Sequence, residues 1–188
     1  MNLPNKLTLI RIALIPVFVA FFYLTMIPYN YVISAGVFAL AAFTDFLDGY
    51  IARKYNLVTN LGKFLDPIAD KVLVSTALII MLLPFSGAIL PWYCGIGVAI
   101  ILARELVVSG FRMVAASKGL VLAAEKSGKI KTTVQDLAIL VLLVGASVMP
   151  GLYTIFNIVG LVAFGLAVIL TIYSGLECIL KNKEVLKG

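Results

Sequence analysis

Four aspartates, two glycines and an arginine fall in the stretch DFLDGYIARKYNLVTNLGKFLDPIAD, Asp45 to Asp70, of a chain that is otherwise 62% hydrophobic. Written as a spacing it is D-x2-D-G-x2-A-R-x8-G-x3-D-x3-D, with Asp45, Asp48, Gly49, Ala52, Arg53, Gly62, Asp66 and Asp70 at the fixed positions. On a helix the i,i+3 pair Asp45/Asp48 projects from one face, and so does the i,i+4 pair Asp66/Asp70. Two such faces meeting put four carboxylates around one point, an arrangement that needs cations or protons to offset the repulsion. Carboxylate oxygens are hard ligands, so Asp45, Asp48, Asp66 and Asp70 are read as a site for divalent ions, Mg²⁺ or Mn²⁺.

The elements that must position this segment lie in a membrane. The 188 residues include no His, and the mean hydropathy of +1.10 leaves too little polar surface for a soluble globule. Six apolar runs are read as spanning helices, at about residues 7 to 27, 32 to 52, 65 to 84, 92 to 114, 130 to 149 and 153 to 178. Each is near the roughly 20 residues that a span requires. The connections 28 to 31, 84 to 91 and 149 to 153 carry no charged residue, whereas every Lys and Arg falls near the N-terminus, around 53 to 71, between 104 and 131, or after 180. The positive-inside rule then predicts both termini on the cytoplasmic side.

The net charge of +6 has the same explanation, because anionic inner-leaflet lipids attract a basic face. The basic residues flank spans and form no basic module interleaved with aromatics, so nucleic-acid binding is not expected. Arg11 interrupts the first apolar run and no small-residue cleavage site follows, which predicts a retained span in place of a cleaved signal. Cys94 and Cys178 fall near opposite faces and are expected to be free thiols. One domain, residues 1–188, is read.

Within the spans, Arg11, Arg104, Glu105, Arg112, Lys129, Lys131 and Asp136 join the four aspartates, all in the cytoplasmic half. Ionisable groups at membrane depth face a bundle interior or an aqueous cavity. The sequence therefore predicts an all-α integral membrane protein of six helices with a polar cavity open to the cytoplasm. It is acidic on the second and third helices and basic on the fourth and fifth. Cations on carboxylates beside Arg and Lys suit phosphate-bearing molecules.

The pattern from Asp45 to Asp70 resembles the signature of the CDP-alcohol phosphatidyltransferases at every fixed position. PNKLTLIR at 4 to 11, GKFLDPIADK at 62 to 71, ARELVVSGFR at 103 to 112 and GKIKT at 128 to 132 look like the branch of that family that makes phosphatidylglycerophosphate. The resemblance implies transfer of a phosphatidyl group from CDP-diacylglycerol to sn-glycerol 3-phosphate with release of CMP, in the cell membrane, by a homodimer. It implies two divalent cations on Asp45, Asp48, Asp66 and Asp70, with Asp70 as general base and Asp66 beside it in catalysis. By the same resemblance Gly49, Ala52 and Arg53 receive the nucleotide end of the donor, and Asn5, Thr8 and Arg11 complete the donor pocket. Arg112, Lys129 and Lys131 are the candidates for the acceptor phosphate, with Arg104 and Glu105 as a supporting pair.

Two alternatives stand beside this reading. The same enzyme class with serine, an inositol phosphate or phosphatidylglycerol as acceptor is one, although the basic residues at 112, 129 and 131 argue for a phosphorylated acceptor. An ion transporter is the other; it needs a polar path to the outer surface, and no span has an ionisable residue in its outer half.

Overall fold

The computed structural model describes residues 3–55, 60–83, 89–118, 120, 126–147 and 150–183; the side chains of Ala52, Arg53 and Asp66 lie outside the described residues. Among them are six α-helices and no strand: α1 (Leu3–Tyr23), α2 (Asn30–Lys54), α3 (Asn60–Leu82), α4 (Gly95–Ser117), α5 (Lys126–Gly145) and α6 (Pro150–Lys181). A short 3-10 turn, Trp92–Cys94, leads into α4.

Each expected span falls on one helix, but the ends differ. The first helix begins at Leu3 and stops at Tyr23, and the last continues to Lys181. Hydropathy reports which residues suit the hydrocarbon, whereas a helix runs on through polar residues as long as its backbone hydrogen bonds continue. The turn between α1 and α2 is tied by Asn30, whose side-chain amide donates to the Phe22 carbonyl at 3.0 Å, one of the carbonyls left over at the end of α1. Tyr29, just before α2, takes the left-handed conformation with φ 60° that the tight reversal requires.

Four of the helical stretches are long and apolar enough to cross a bilayer: Asn5–Tyr23, Asn30–Gly49, Trp92–Ser117 and Gly151–Lys181. This suits a membrane protein. The remaining two helices, α3 and α5, are diluted by Asp66, Asp70 and Lys71 and by Lys129, Lys131 and Asp136. Both belong to the helices on which the sequence places ionisable groups.

The bundle packs α5 most extensively on α6, and α1 on α2, with α1 also against α3, α4 against α6 and α2 against α5. Its core runs through Phe18, Phe22 and Phe38, Leu73, Ala77, Leu78 and Met81, Ile101, and Ile139 with Leu143. The Phe18 ring lies 5.9 Å from that of Phe38 and tilted to it, a favourable aromatic arrangement. Close approach of α5 and α6 depends on a small residue: a Cβ on Gly160 would sit 2.5 Å from Leu142 Cγ. Small residues at helix crossings are how membrane helices gain packing where lipid supplies no hydrophobic drive. Large apolar side chains face outward along α4 and α6, including Ile96, Leu106, Met113, Ile158, Val162, Leu166 and Ile169. Such a surface is stable against acyl chains and not against water.

Candidate active site

The polar groups at membrane depth fall into two connected sets. The first lies between α1 and α2. Asn5, Thr8 and Arg11 recur at every third residue and so share one face of α1, and all three are buried. The Arg11 guanidinium, fully enclosed, places Nη1 2.7 Å from Asp45 Oδ1 and Nη2 2.5 Å from Asp48 Oδ2. The Thr8 hydroxyl, one turn earlier, donates to the same Asp48 oxygen at 3.5 Å. Asp48 is buried, whereas the Asp45 side chain is 47% exposed, so one carboxylate anchors the guanidinium and the other faces the opening. Gly49 follows in the next position on α2, half-buried.

The second set lies between α3, α4 and α5 around a pocket lined by Asp70, Lys71, Ser75, Glu105, Lys131, Thr132 and Gln135. Lys131 is buried and its Nζ donates to Glu105 Oε1 at 2.5 Å. Arg104 Nη1 reaches the same carboxylate oxygen at 3.3 Å, and its Nη2 donates to Ser174 Oγ on α6 at 2.9 Å. Gly175 makes room for the Arg104 stem, since a Cβ there would come within 3.0 Å of Arg104 Cγ. Lys71 donates to the Ser109 hydroxyl, which in turn donates to the Glu105 carbonyl at 2.5 Å. Glu105 thus ties three helices: its carboxylate gathers Lys131 from α5 and Arg104, and its carbonyl takes the Ser109 hydroxyl that binds Lys71 of α3.

Asp70 joins the two sets, lying within Coulombic range of Asp45 and Arg11 on one side and of Glu105 and Lys131 on the other. The two ends of the aspartate pattern are therefore brought to one region. Among the described residues no three acidic, His or Cys side chains are gathered closely enough to hold a metal ion, and the Asp66 side chain lies outside them. Carboxylate oxygens are the donors a hard divalent cation takes, and Asp45 and Asp48 offer them one helical turn apart; Arg11 is paired with one of the two oxygens of each.

The basic candidates are not equivalent. Lys131 lines the pocket, whereas Lys129 is exposed, as two residues separated by one position on a helix must point in different directions. Arg104 is held by Glu105 and Ser174 and does not line the pocket. Arg112 is half-buried two turns beyond Glu105 on α4, with a buried Nε that has no hydrogen-bond partner. Lys71, Ser109, Gln135 and Ser174 were not singled out by sequence reasoning. For Gln135 the available signal was its i,i+4 spacing from Lys131, and for Lys71 its place directly after Asp70. Chemically, the pocket offers a carboxylate able to take a proton, next to lysines able to neutralise a phosphate.

Comparison with known proteins gives a consistent picture. The family model described as CDP-alcohol phosphatidyltransferase matches residues 1–173. Over 99% of its length the chain is 45% identical to a Bacillus subtilis protein named CDP-diacylglycerol–glycerol-3-phosphate 3-phosphatidyltransferase, covering 97% of that relative. Proteins of the same name from Rickettsia bellii, 42% identical with 93% of this chain and 91% of the relative covered, and from Salmonella typhimurium, 37% identical with 94% and 92% covered, are similar to it as well.

Proposed function

This chain belongs to the CDP-alcohol phosphatidyltransferase family, and on that premise we propose that it transfers the phosphatidyl group of CDP-diacylglycerol to sn-glycerol 3-phosphate, forming phosphatidylglycerophosphate and CMP. The similarity to relatives named for that reaction runs over nearly the full chain. The observation that carries the choice of acceptor is the pocket itself, in which Asp70 shares a wall with Lys71 and Lys131. Two lysines beside the base suit the doubly charged phosphate monoester of glycerol 3-phosphate better than the single negative charge of serine's carboxylate or of a lipid phosphodiester.

In this reading Asp70 takes the proton of an acceptor hydroxyl as its oxygen attacks the β-phosphorus of the donor. The bond from that phosphorus to the bridging oxygen breaks, and CMP leaves with the electron pair. Lys131 and Lys71 neutralise the acceptor phosphate and hold it so that the hydroxyl faces Asp70, with Arg112 adding charge from α4. The guanidinium of Arg53 suits the donor diphosphate, and Gly49 lets the nucleotide approach α2. Thr8 and Arg11 fix the turn of α2 that carries Asp45 and Asp48, and with Asn5 on the same face of α1 they complete the donor pocket. Asp45, Asp48, Asp66 and Asp70 would hold two divalent ions, Mg²⁺ or Mn²⁺, which would supply charge neutralisation on the diphosphate.

All six helices cross the cell membrane, both termini and the pocket face the cytoplasm, and the protein works as a homodimer. The charge asymmetry of the connections supports the orientation. A water-soluble acceptor then enters from the cytoplasm while the lipid donor arrives laterally.

The test is purified protein in detergent with CDP-diacylglycerol and Mg²⁺, offered glycerol 3-phosphate, serine, inositol phosphate or phosphatidylglycerol separately while CMP is measured. Release with glycerol 3-phosphate is expected. Release with one of the others and none with glycerol 3-phosphate would sink the proposal.

A further inference from the structure

Gln135 is 2% exposed, lines the pocket beside Asp70 and Lys131, and its amide Oε1 is buried with no hydrogen-bond partner. An amide oxygen shut away without a donor is unfavourable, the more so at membrane depth, and such groups are rare unless something outside the protein completes them. Its neighbours in the pocket are already engaged: Lys131 with Glu105, Lys71 with Ser109, and the Thr132 hydroxyl with the Gly128 carbonyl at 3.0 Å. The oxygen is thus an acceptor waiting for a donor, in a pocket whose other polar groups suit a phosphate and a reacting hydroxyl.

We propose that Gln135 is a specificity residue of the acceptor pocket, its Oε1 accepting a hydrogen bond from the acceptor hydroxyl that does not react. This rests on the transfer reaction proposed above. Glycerol 3-phosphate has two hydroxyls; one yields its proton to Asp70, and the other loses water on entering the pocket and needs a partner of its own. Gln135 lies four residues beyond Lys131, one turn and about 6 Å further along the same face of α5, so a single three-carbon phosphate can meet both side chains. With the phosphate on Lys131, a hydroxyl comes level with Gln135. Sites built to hydrogen-bond a hydroxyl discriminate strongly against analogues that lack it, because the buried partner is then left unsatisfied.

The experiment compares glycerol 3-phosphate with 3-hydroxypropyl phosphate, which keeps the phosphate and the primary hydroxyl and lacks the middle one, in the CMP-release assay. Wild-type protein should favour glycerol 3-phosphate in kcat/KM. In Gln135→Leu the value for glycerol 3-phosphate should fall on the order of 10- to 100-fold and that for the deoxy acceptor much less, so that the preference collapses, with the KM for CDP-diacylglycerol little altered. Gln135→Glu keeps an accepting oxygen and should retain part of the preference. If Gln135→Leu does not yield folded protein, Gln135→Met removes the same oxygen at the same side-chain length and serves the same comparison. A preference unchanged from wild type in the apolar variant overturns the role of Gln135. Absence of CMP release with glycerol 3-phosphate in the wild type overturns the transfer reaction itself, so the two failures are distinguishable.

Discussion

Arg11 and Asp48 meet across the α1–α2 interface with 2.5 Å between Nη2 and Oδ2, both side chains shut away from solvent, and the same guanidinium reaches Asp45 at 2.7 Å. One cation on α1 therefore sets the positions of two carboxylates one turn apart on α2. Replacing it tests how far the site depends on that link. In Arg11→Ala the buried Asp48 loses its counter-charge, and breaking a buried ion pair from one side costs about 3–5 kcal/mol. The thermal unfolding midpoint in detergent should fall clearly. Arg11→Lys retains the charge but not the forked reach to both carboxylates, and should unfold between the two. An Arg11→Ala protein as stable as wild type would show that the pair contributes nothing to holding α1 on α2.

Asp70 is the carboxylate that faces both the acidic set and the lysines of the pocket. Asp70→Asn keeps its size and removes its ability to take a proton. CMP release should drop by roughly 10²- to 10⁴-fold, the range expected for loss of a general base, while the unfolding midpoint stays near that of wild type. Near-normal turnover would remove Asp70 from the proton-transfer step.

The proposed assignment of two divalent ions to Asp45, Asp48, Asp66 and Asp70 predicts that the reaction depends on them. Treatment with EDTA should stop CMP release, and Mg²⁺ or Mn²⁺ added in excess should restore it. Turnover that persists through exhaustive chelation would contradict the assignment of Asp45, Asp48, Asp66 and Asp70 to metal binding.

Glu105 and Lys131 form one unit, with Nζ 2.5 Å from Oε1. Lys131→Ala should raise the KM for glycerol 3-phosphate on the order of tenfold or more, the loss of one charge-assisted contact, and leave the KM for CDP-diacylglycerol nearly as it was. Glu105→Gln frees Lys131 from its position and should also weaken acceptor binding. Because the residues touch, the double variant should be less impaired than the sum of the two. Equal effects on both substrates, or strict additivity, would argue that Lys131 does not act on the acceptor through its link to Glu105.

Sequence periodicity was informative where one helix face decides the matter. The i,i+3 spacing of Asp45 and Asp48 places them together on α2, and the three-residue step from Thr8 to Arg11 places their partners on one face of α1. The same rule separates Lys129 from Lys131, which the basic character of GKIKT alone does not. What periodicity does not carry is pairing across helices. That Arg104 turns to Ser174 on α6, or that Lys71 meets Ser109 on α4, depends on which faces pack, and α6 contributes no charge pattern that points at α4. The state of Gln135 Oε1 is equally hidden, because a buried amide with a partner and one without have the same sequence. Helix ends are equally unmarked by apolar runs, which follow the hydrocarbon and not the last backbone hydrogen bond.

The orientation of the pocket decides which compartment supplies the acceptor, and cysteine labelling tests it. Met26, between α1 and α2, is 94% exposed, and Lys118 at the end of α4 is exposed as well. The native thiols Cys94 and Cys178 are both buried, and replacing them with Ser gives a background on which a single new cysteine is read without ambiguity. Met26→Cys should react with a membrane-impermeant maleimide on intact cells. Lys118→Cys should react only after the membrane is opened. The reverse pattern would put Lys131 and Asp70 on the outer side, away from a cytoplasmic phosphate acceptor, and would contradict the positive-inside assignment on which the direction of acceptor entry depends.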